Sequence, residues 1–386
     1  MTRLKILMVA GNMHVGGIEN QLMHLARNAS REKFQFDFTS DKPDAFYRKE
    51  IEELGGKFIL IPKMNWRNPF PYCRAMYHVM RQGKYDIVHS HELFHSGITL
   101  LIARLAGIPC RFVHAHNWRD DDGTGKKRSK MRTCYNAVMR WMINQFSTIE
   151  IACSTWAGKF LYGEKNIKKK KYHLVFNSVD TAKFLDNYDR VETGEFCEEN
   201  GWKNVINVAR ISKVKNQEFL VRIAEEFRKK EEKIRILCVG SGDEDDVKRV
   251  RDKIEEKNLW KYIKLLGVRK DVDVLMRKSS AFVLPSHYEG MPLVMIEAQT
   301  SGLHCVSAAT YSPEVDFGIG TVTWLSLDDD VKTWAGELMR AVNKKRPDKR
   351  VIEKVVKEKA FDSKMFAQAM CELYEEDYRL RGRKND

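Results

Sequence analysis

The sequence has no apolar run approaching the ~18 residues that a membrane-spanning helix needs. The apolar stretch near its start, LKILMVAGN, is about six residues long and lacks a small-residue cleavage site, so it reads as a first buried strand rather than a signal peptide. Eight cysteines (73, 110, 134, 153, 197, 238, 305 and 371) are scattered with no Cys-x-x-Cys pair. That argues for reduced core thiols in a cytoplasmic protein. No Gly-x-Gly-x-x-Gly is present, so the dinucleotide fingerprint is missing. Basic surface interleaved with aromatics is also missing, as is any nucleic-acid motif, so no nucleic-acid partner is expected.

What is present fits a globular α/β chain. At 386 residues, two or three domains can each bury a core. Hydrophobic residues make up 43% and charged residues 31%. The net charge of +14 is uneven: residues 1–180 hold 29 Lys+Arg against 16 Asp+Glu, and the remainder 38 against 37. The first half therefore calls for an anionic partner.

The chain is organised around residues 281–307, AFVLPSHYEGMPLVMIEAQTSGLHCVS. The run 281–284 reads as a buried parallel strand that stops at Pro285. Gly290 and Pro292 open a helix with Pro at its first position, and Gly302 closes it before a second strand. Such a loop lies at the carboxyl end of a sheet, with helix N-terminal amides available to an anion. Glu289 and Glu297 flank it, and carboxylates beside a phosphate site are best used accepting hydroxyl hydrogens. Phosphate with hydroxyls on both sides describes a nucleotide sugar.

The rest of the chain repeats the pattern. A strand at 6–10 runs into GNMHVGGIE, where Gly16 and Gly17 permit close backbone approach before a helix. Strands at 34–39, 58–61, 87–89 and 111–115 alternate with helices, which argues for a parallel sheet covered on both faces. His89, His91 and His95 follow one strand; His114 and His116 follow another. Neither cluster has acidic or cysteine partners at ligand spacing, so no metal is expected. A helix over 129–146 carries Met131, Tyr135, Val138, Met142 and Phe146 on one face. Residues 181–200 read as a linker. In the second half, Arg210 and Lys215 sit five apart in a βα loop and suit a diphosphate, one as a fork and one as a point charge. Gly240 and Gly242 form a tight loop facing the same crevice. Asp271 and Asp273 read as the start of a helix rather than as metal ligands.

The run PS..EGMP....EA...G, with Arg210, Lys215-Asn216 and the turn at 176–180, resembles the retaining, GT-B-fold glycosyltransferases of family 4. Departures are Ala209 and Ser178 where that family usually has glycine. The resemblance implies two Rossmann-like domains facing a cleft: residues 1–185 on the acceptor side, 186–362 on the nucleotide-sugar donor side, and a helix 363–386 crossing back. It implies transfer of a sugar from a nucleotide donor, UDP-linked by expectation, to an acceptor hydroxyl with retention and with neither metal nor other cofactor. Arg210 and Lys215 would stabilise the leaving diphosphate. Glu297 would hold the ribose and Glu289 the donor sugar, with Gly16, Gly17, Gly240, Gly242, Gly290 and Met291 lining the donor site. His116, with His114 as the alternative, would lie over the sugar. The acceptor would be a saccharide, lipid-linked as in relatives that build bacterial capsule or exopolysaccharide. The basic runs at 126–132 and 168–171 would hold the enzyme against the anionic inner face of the plasma membrane. A nucleotide-sugar epimerase of similar fold and a basic nucleic-acid-binding protein are the alternative readings.

Overall fold

The computed structural model describes the chain except residues 1, 2, 15, 66, 120–128, 165–171, 187, 189–194, 197–200 and 383–386. It divides into two compact units, one built from residues 1–120, 126–179 and 360–386, the other principally from 180–359. Both are parallel sheets wrapped by helices, so the chain is a pair of Rossmann-like domains.

The first unit's strands are β1 (Leu4–Val9), β2 (Phe34–Ser40), β3 (Phe58–Leu60), β4 (Ile87–Ser90), β5 (Cys110–Ala115), β6 (Ile149–Ala152) and β7 (Tyr172–Leu174). Their order across the sheet is β3-β2-β1-β4-β5-β6-β7. β1 shows why the strands read as apolar runs rather than alternating ones: helices cover both faces. Ile6 and Met8 enter one core with Phe36, Phe38 and Phe112, while Leu7 and Val9 enter the other with Tyr72, Met76 and Val88. The C-terminal helix Ser363–Arg381 belongs to this unit, because Phe366, Met370 and Tyr374 complete the first of those cores.

The second unit contains β8 (Lys203–Val208), β9 (Ile234–Val239), β10 (Ile263–Gly267), β11 (Ala281–Leu284), β12 (His304–Ala308) and β13 (Val322–Leu325). Their order is β10-β9-β8-β11-β12-β13. The amphipathic helix Gln217–Lys229 places Phe219, Leu220, Ile223 and Phe227 on this sheet with Trp334. Each such side chain contributes about 1.5–3 kcal/mol. The stretch read as a linker, 181–200, opens with a short helix, Thr181–Leu185, and nine of its 20 residues are described.

In both sheets the chain runs outward on one side of its first strand and then returns to the other. The reversal falls between β1 and β4 in the first unit and between β8 and β11 in the second. Crevices that take ligands in open α/β sheets form at the carboxyl ends of such strand pairs.

The helix Lys130–Phe146 differs from expectation. It buries Asn136, Met139, Met142 and Ile143, while Met131 (56%), Val138 (53%) and Trp141 (58%) are exposed. Gly97 explains the rotation: its Cα lies so close to the Met139 backbone that a Cβ there would meet the Met139 carbonyl oxygen at 2.7 Å. That close approach fixes which helix face turns inward. Arg140 donates to the Leu161 and Phe160 carbonyls (3.0 and 2.7 Å). The basic residues 126–128 and 168–171 lie outside the described residues. No helix among the described residues is long and apolar enough to cross a membrane. Seven described cysteines are free thiols.

Candidate functional site

The loops after β8 and β11 meet at the reversal point of the second sheet. Backbone and side-chain bonds join them: the His287 amide donates to the Val214 carbonyl (2.8 Å) and Asn216 Nδ2 to the Pro285 carbonyl (3.2 Å). Lys215 Nζ reaches both Glu289 oxygens, at 2.5 and 2.6 Å. Glu289 is 9% exposed, so the ion pair is largely shielded from water. Lys215 and Glu289, read from the sequence as serving phosphate and sugar separately, thus act as one charge-paired unit.

Arg210 stands at the same edge with its side chain exposed, and no partner engages its guanidinium among the described residues. Its carbonyl accepts from Gln217 Nε2 (3.1 Å), and Gln217 Oε1 accepts from the Ser212 amide (3.2 Å). This buried glutamine, at 1% exposure, shapes the loop that presents Arg210 and Lys215. Sequence reasoning passed over it, although it directly follows Lys215-Asn216. Ser212 Oγ and Ser286 Oγ are buried at this edge with no hydrogen-bond partner among the described residues.

The third wall is the loop after β9. Gly240, at φ +129°, packs against the Ala209 carbonyl, and Gly242 bridges Ile211. A side chain at either position would strike the β8 loop backbone, which is the physical reason for both glycines. Gly290 and Met291 are buried beside Glu289. The helix that follows is Leu293–Thr300, so Pro292 is its N-cap (φ −71°, ψ 114°) rather than its first helical residue. Its far end is a Schellman motif: Gly302, at φ +74°, donates to the Gln299 carbonyl and Leu303 to that of Ala298.

Glu297 lies on the first turns of this helix, half-buried. Burial pushes its carboxyl up to about 7; the nearby Lys183 opposes the shift and Asp273 adds to it. Asp273 pairs with Lys183 (3.4 Å) and Arg277 (3.3 Å), and Asp271 with Arg269 (2.7 Å). Both carboxylates are committed to cations around the short helix Val272–Arg277, in line with the helix-start reading. Tyr311 points into the core at 2% exposure and shares a hydrogen bond with Ser307 Oγ.

In the first unit, Gly16 caps the helix Gly17–Asn28 without a side-chain bond. The Glu19 carboxylate sits where a Gly16 side chain would be. A carboxylate at that N-terminus repels phosphate, so Gly16 and Gly17 fit hydroxyls better than the donor's diphosphate. A cavity of about 280 Å³ opens here, at the β1/β4 reversal, lined by Glu19, Asp41, Glu92, Lys63, His91 and His95 among others. Glu92 accepts from Tyr72 Oη (2.5 Å) and Thr99 Oγ1 (3.1 Å), and burial raises its pKa and that of Glu19.

His114 and His116 do not point to opposite sides. Residues two apart on a strand share a face, and their rings stack with centroids 4.1 Å apart. Because β4 and β5 are neighbours, His89 and His91 join the same buried group; His91 Nδ1 lies 2.9 Å from His116 Nε2. Burial drives the His116 pKa down to about 3, leaving a neutral ring.

Residues 197–358 match the family described as Glycosyl transferases group 1, and residues 15–183 the family described as Glycosyltransferase Family 4. A Bacillus subtilis (strain 168) protein named as glycosyltransferase EpsF is 32% identical over 96% of both chains. An Escherichia coli relative named UDP-Gal:alpha-D-GlcNAc-diphosphoundecaprenol alpha-1,3-galactosyltransferase is 28% identical over 60% of each chain. Anabaena HepE, solved in complex with UDP-glucose, superposes with a TM-score of 0.73 at 16% identity, over 97% of this chain and 100% of its own, a likeness of fold. With two Rossmann-like units and both family matches, the chain belongs to the GT-B-fold glycosyltransferases of group 1 and family 4.

Proposed function

We propose that this glycosyltransferase moves a hexose from a UDP-sugar to a hydroxyl of a lipid-linked saccharide in bacterial surface-polysaccharide synthesis, with retention of anomeric configuration. The observation that carries the reading is the convergence of Arg210, Lys215 and Glu289 at the reversal point of the second sheet. In this reading Arg210 and Lys215 bind the diphosphate and stabilise the charge that grows on it as the glycosidic bond breaks. Glu289 holds a sugar hydroxyl while its bond to Lys215 keeps the ammonium aimed at the phosphates. Glu297 accepts from the ribose hydroxyls, and the Gly240, Gly242, Gly290 and Met291 backbone allows close approach. Neutral His116 offers the sugar a hydrogen bond without charge. The names of the E. coli relative and of the HepE complex support the UDP donor, and the former a lipid-linked acceptor.

Magnesium or manganese is not required in this mechanism, because two cationic side chains, Arg210 and Lys215, would meet the diphosphate charge. The test is acceptor-dependent release of UDP from a panel of UDP-sugars, with NMR of the product anomer and with chelator present. UDP released equally without acceptor favours the epimerase reading; dependence on magnesium or manganese overturns the metal-free step.

We further propose that the enzyme works at the cytoplasmic face of the plasma membrane through the helix Lys130–Phe146. Its exposed Met131, Val138 and Trp141 lie three and seven residues apart along one side, beside Lys130 and Arg132 near its start. Apolar groups beside basic ones suit an anionic leaflet, at about 1 kcal/mol per basic residue. Trp141→Ala should weaken sedimentation with anionic vesicles severalfold without lowering Tm. Binding indifferent to lipid charge and salt overturns the proposal.

A further inference from the structure

The first unit holds a buried histidine group that the proposed transfer does not use in full. His89 and His91 lie on or just after β4, and His114 on β5. His89 pairs in register with Phe112, so the next same-face position on each strand brings His91 opposite His114. The result is one ladder of imidazoles on a single sheet face. His89 and His114 rings are nearly coplanar in orientation (4°, centroids 5.6 Å apart), and His89 and His91 centroids are 4.1 Å apart. All three residues are 7% exposed or less.

Packing alone does not account for their polar atoms. His89 Nδ1 lies 2.6 Å from Tyr374 Oη, and His91 Nδ1 lies 2.9 Å from His116 Nε2. The Nε2 atoms of His89, His91 and His114 are buried with no hydrogen-bond partner among the described residues. Ring nitrogens of these three residues lie within 4.8 Å of one another. Three buried, unpartnered ring nitrogens held together fit a ligand set better than a satisfied core. Burial also lowers all three pKa values well below that of a free histidine, so the rings are neutral as ligation requires.

We propose that His89, His91 and His114 bind one zinc-class divalent cation through their ring nitrogens, with water in the fourth position. Three imidazoles select zinc, cobalt or nickel over magnesium, manganese or calcium, which prefer oxygen. In a tetrahedral site with Zn–N of about 2.0–2.1 Å the nitrogens stand about 3.3 Å apart, so the cluster closes by about 1.5 Å at most. Metal-bound histidines donate their second N–H to a fixed acceptor, and two of the three already have one: Tyr374 Oη for His89 and His116 Nε2 for His91. The 280 Å³ cavity reaches His91 and supplies an entry path. The Glu19, Asp41 and Glu92 carboxylates lining it offset the added charge. The cation would thereby set the tautomer of His91 and, through it, orient His116 with its Nδ1 protonated. This positioning effect on His116 is the only step that rests on the proposed transfer; the binding itself does not.

The test uses the full chain without a histidine tag, assayed for metal as purified, then stripped and titrated with Co²⁺ and Zn²⁺. The expected result is about one equivalent per chain, intense visible bands of tetrahedral Co²⁺ that Zn²⁺ removes, and a rise in Tm with Zn²⁺ but not Mg²⁺. His114→Gln should abolish the bands. Tyr374→Phe, which keeps the ring in the core, should weaken Zn²⁺ binding about 10-fold with an unchanged far-UV spectrum. No band and no Zn²⁺-dependent Tm shift in the parent overturns the proposal. Bands that persist in His114→Gln place the ion on another site and overturn it equally.

Discussion

The two sheets reverse direction at equivalent places, yet the loops there carry opposite chemistry. At the β8/β11 edge stand Arg210 and the Lys215–Glu289 pair, with unpartnered serine hydroxyls. At the β1/β4 edge stand Glu19, Asp41 and Glu92 around a cavity, with neutral histidines behind them. In the proposed reading the first edge would take the diphosphate, and the second, mainly acidic although Lys63 also lines it, would take hydroxyls. The fold supplies the crevice twice, and loop residues decide what enters. That division of labour is what a transferase handling a charged donor and a hydroxylated acceptor needs, and each edge can be broken separately.

The largest effect should come from Lys215. Lys215→Ala removes a cation from the developing diphosphate charge, which should lower kcat about 10²- to 10³-fold. It also strands the Glu289 carboxylate, costing about 1–3 kcal/mol of stability in thermal unfolding. A variant that loses stability but keeps its turnover would reduce the pair to a structural bridge like Arg277–Asp273. Arg210→Ala offers the cleaner contrast, since its exposed side chain holds nothing together. UDP-sugar affinity should fall about 10- to 150-fold by calorimetry, with Tm unchanged.

The acceptor edge should respond in the other parameter. Asp41→Asn should raise the acceptor KM about 10-fold, the worth of one charge-assisted hydrogen bond, while donor affinity stays within about twofold. A loss of donor affinity instead would erase the contrast between the edges.

How far the sequence exposed these edges depended on the range of the interactions involved. Parallel strands buried on both faces announce themselves as short apolar runs, and the loops after β8 and β11 carried their charges and glycines in compact spacing. Their meeting followed from the strand order, which the family resemblance implied. The histidine group was hidden because its halves lie 25 residues apart and join only when β4 pairs with β5. Within one half, the two-residue spacing of His114 and His116 already placed both on one face. The helix Lys130–Phe146 offered two apolar faces of similar quality, and the contact at Gly97 chose between them. Gln217 and Ser286 are polar residues whose roles arise from burial, which no local pattern reports.

The smallest effect, and the one that most sharpens the donor edge, concerns Glu297. Its carboxyl ionises near 7 in the folded protein against about 4.5 unfolded, because burial disfavours the charge more than Lys183 favours it. The folded state therefore holds a proton that the unfolded state has already lost between pH 4.5 and 7. Stability from this group is present below 4.5 and declines as pH rises through that window. Glu297→Gln cannot ionise, so the Tm difference between variant and parent should grow in the variant's favour from pH 5 to 8. Binding should move the opposite way. A carboxylate accepts two hydroxyl hydrogens where a carboxylic acid accepts fewer, so the parent's UDP affinity should tighten as pH rises through 7. Glu297→Gln should bind more weakly at pH 8 and show a flatter profile. Parallel pH profiles for parent and variant would remove Glu297 from the ribose and leave it a buried acid of the helix Leu293–Thr300.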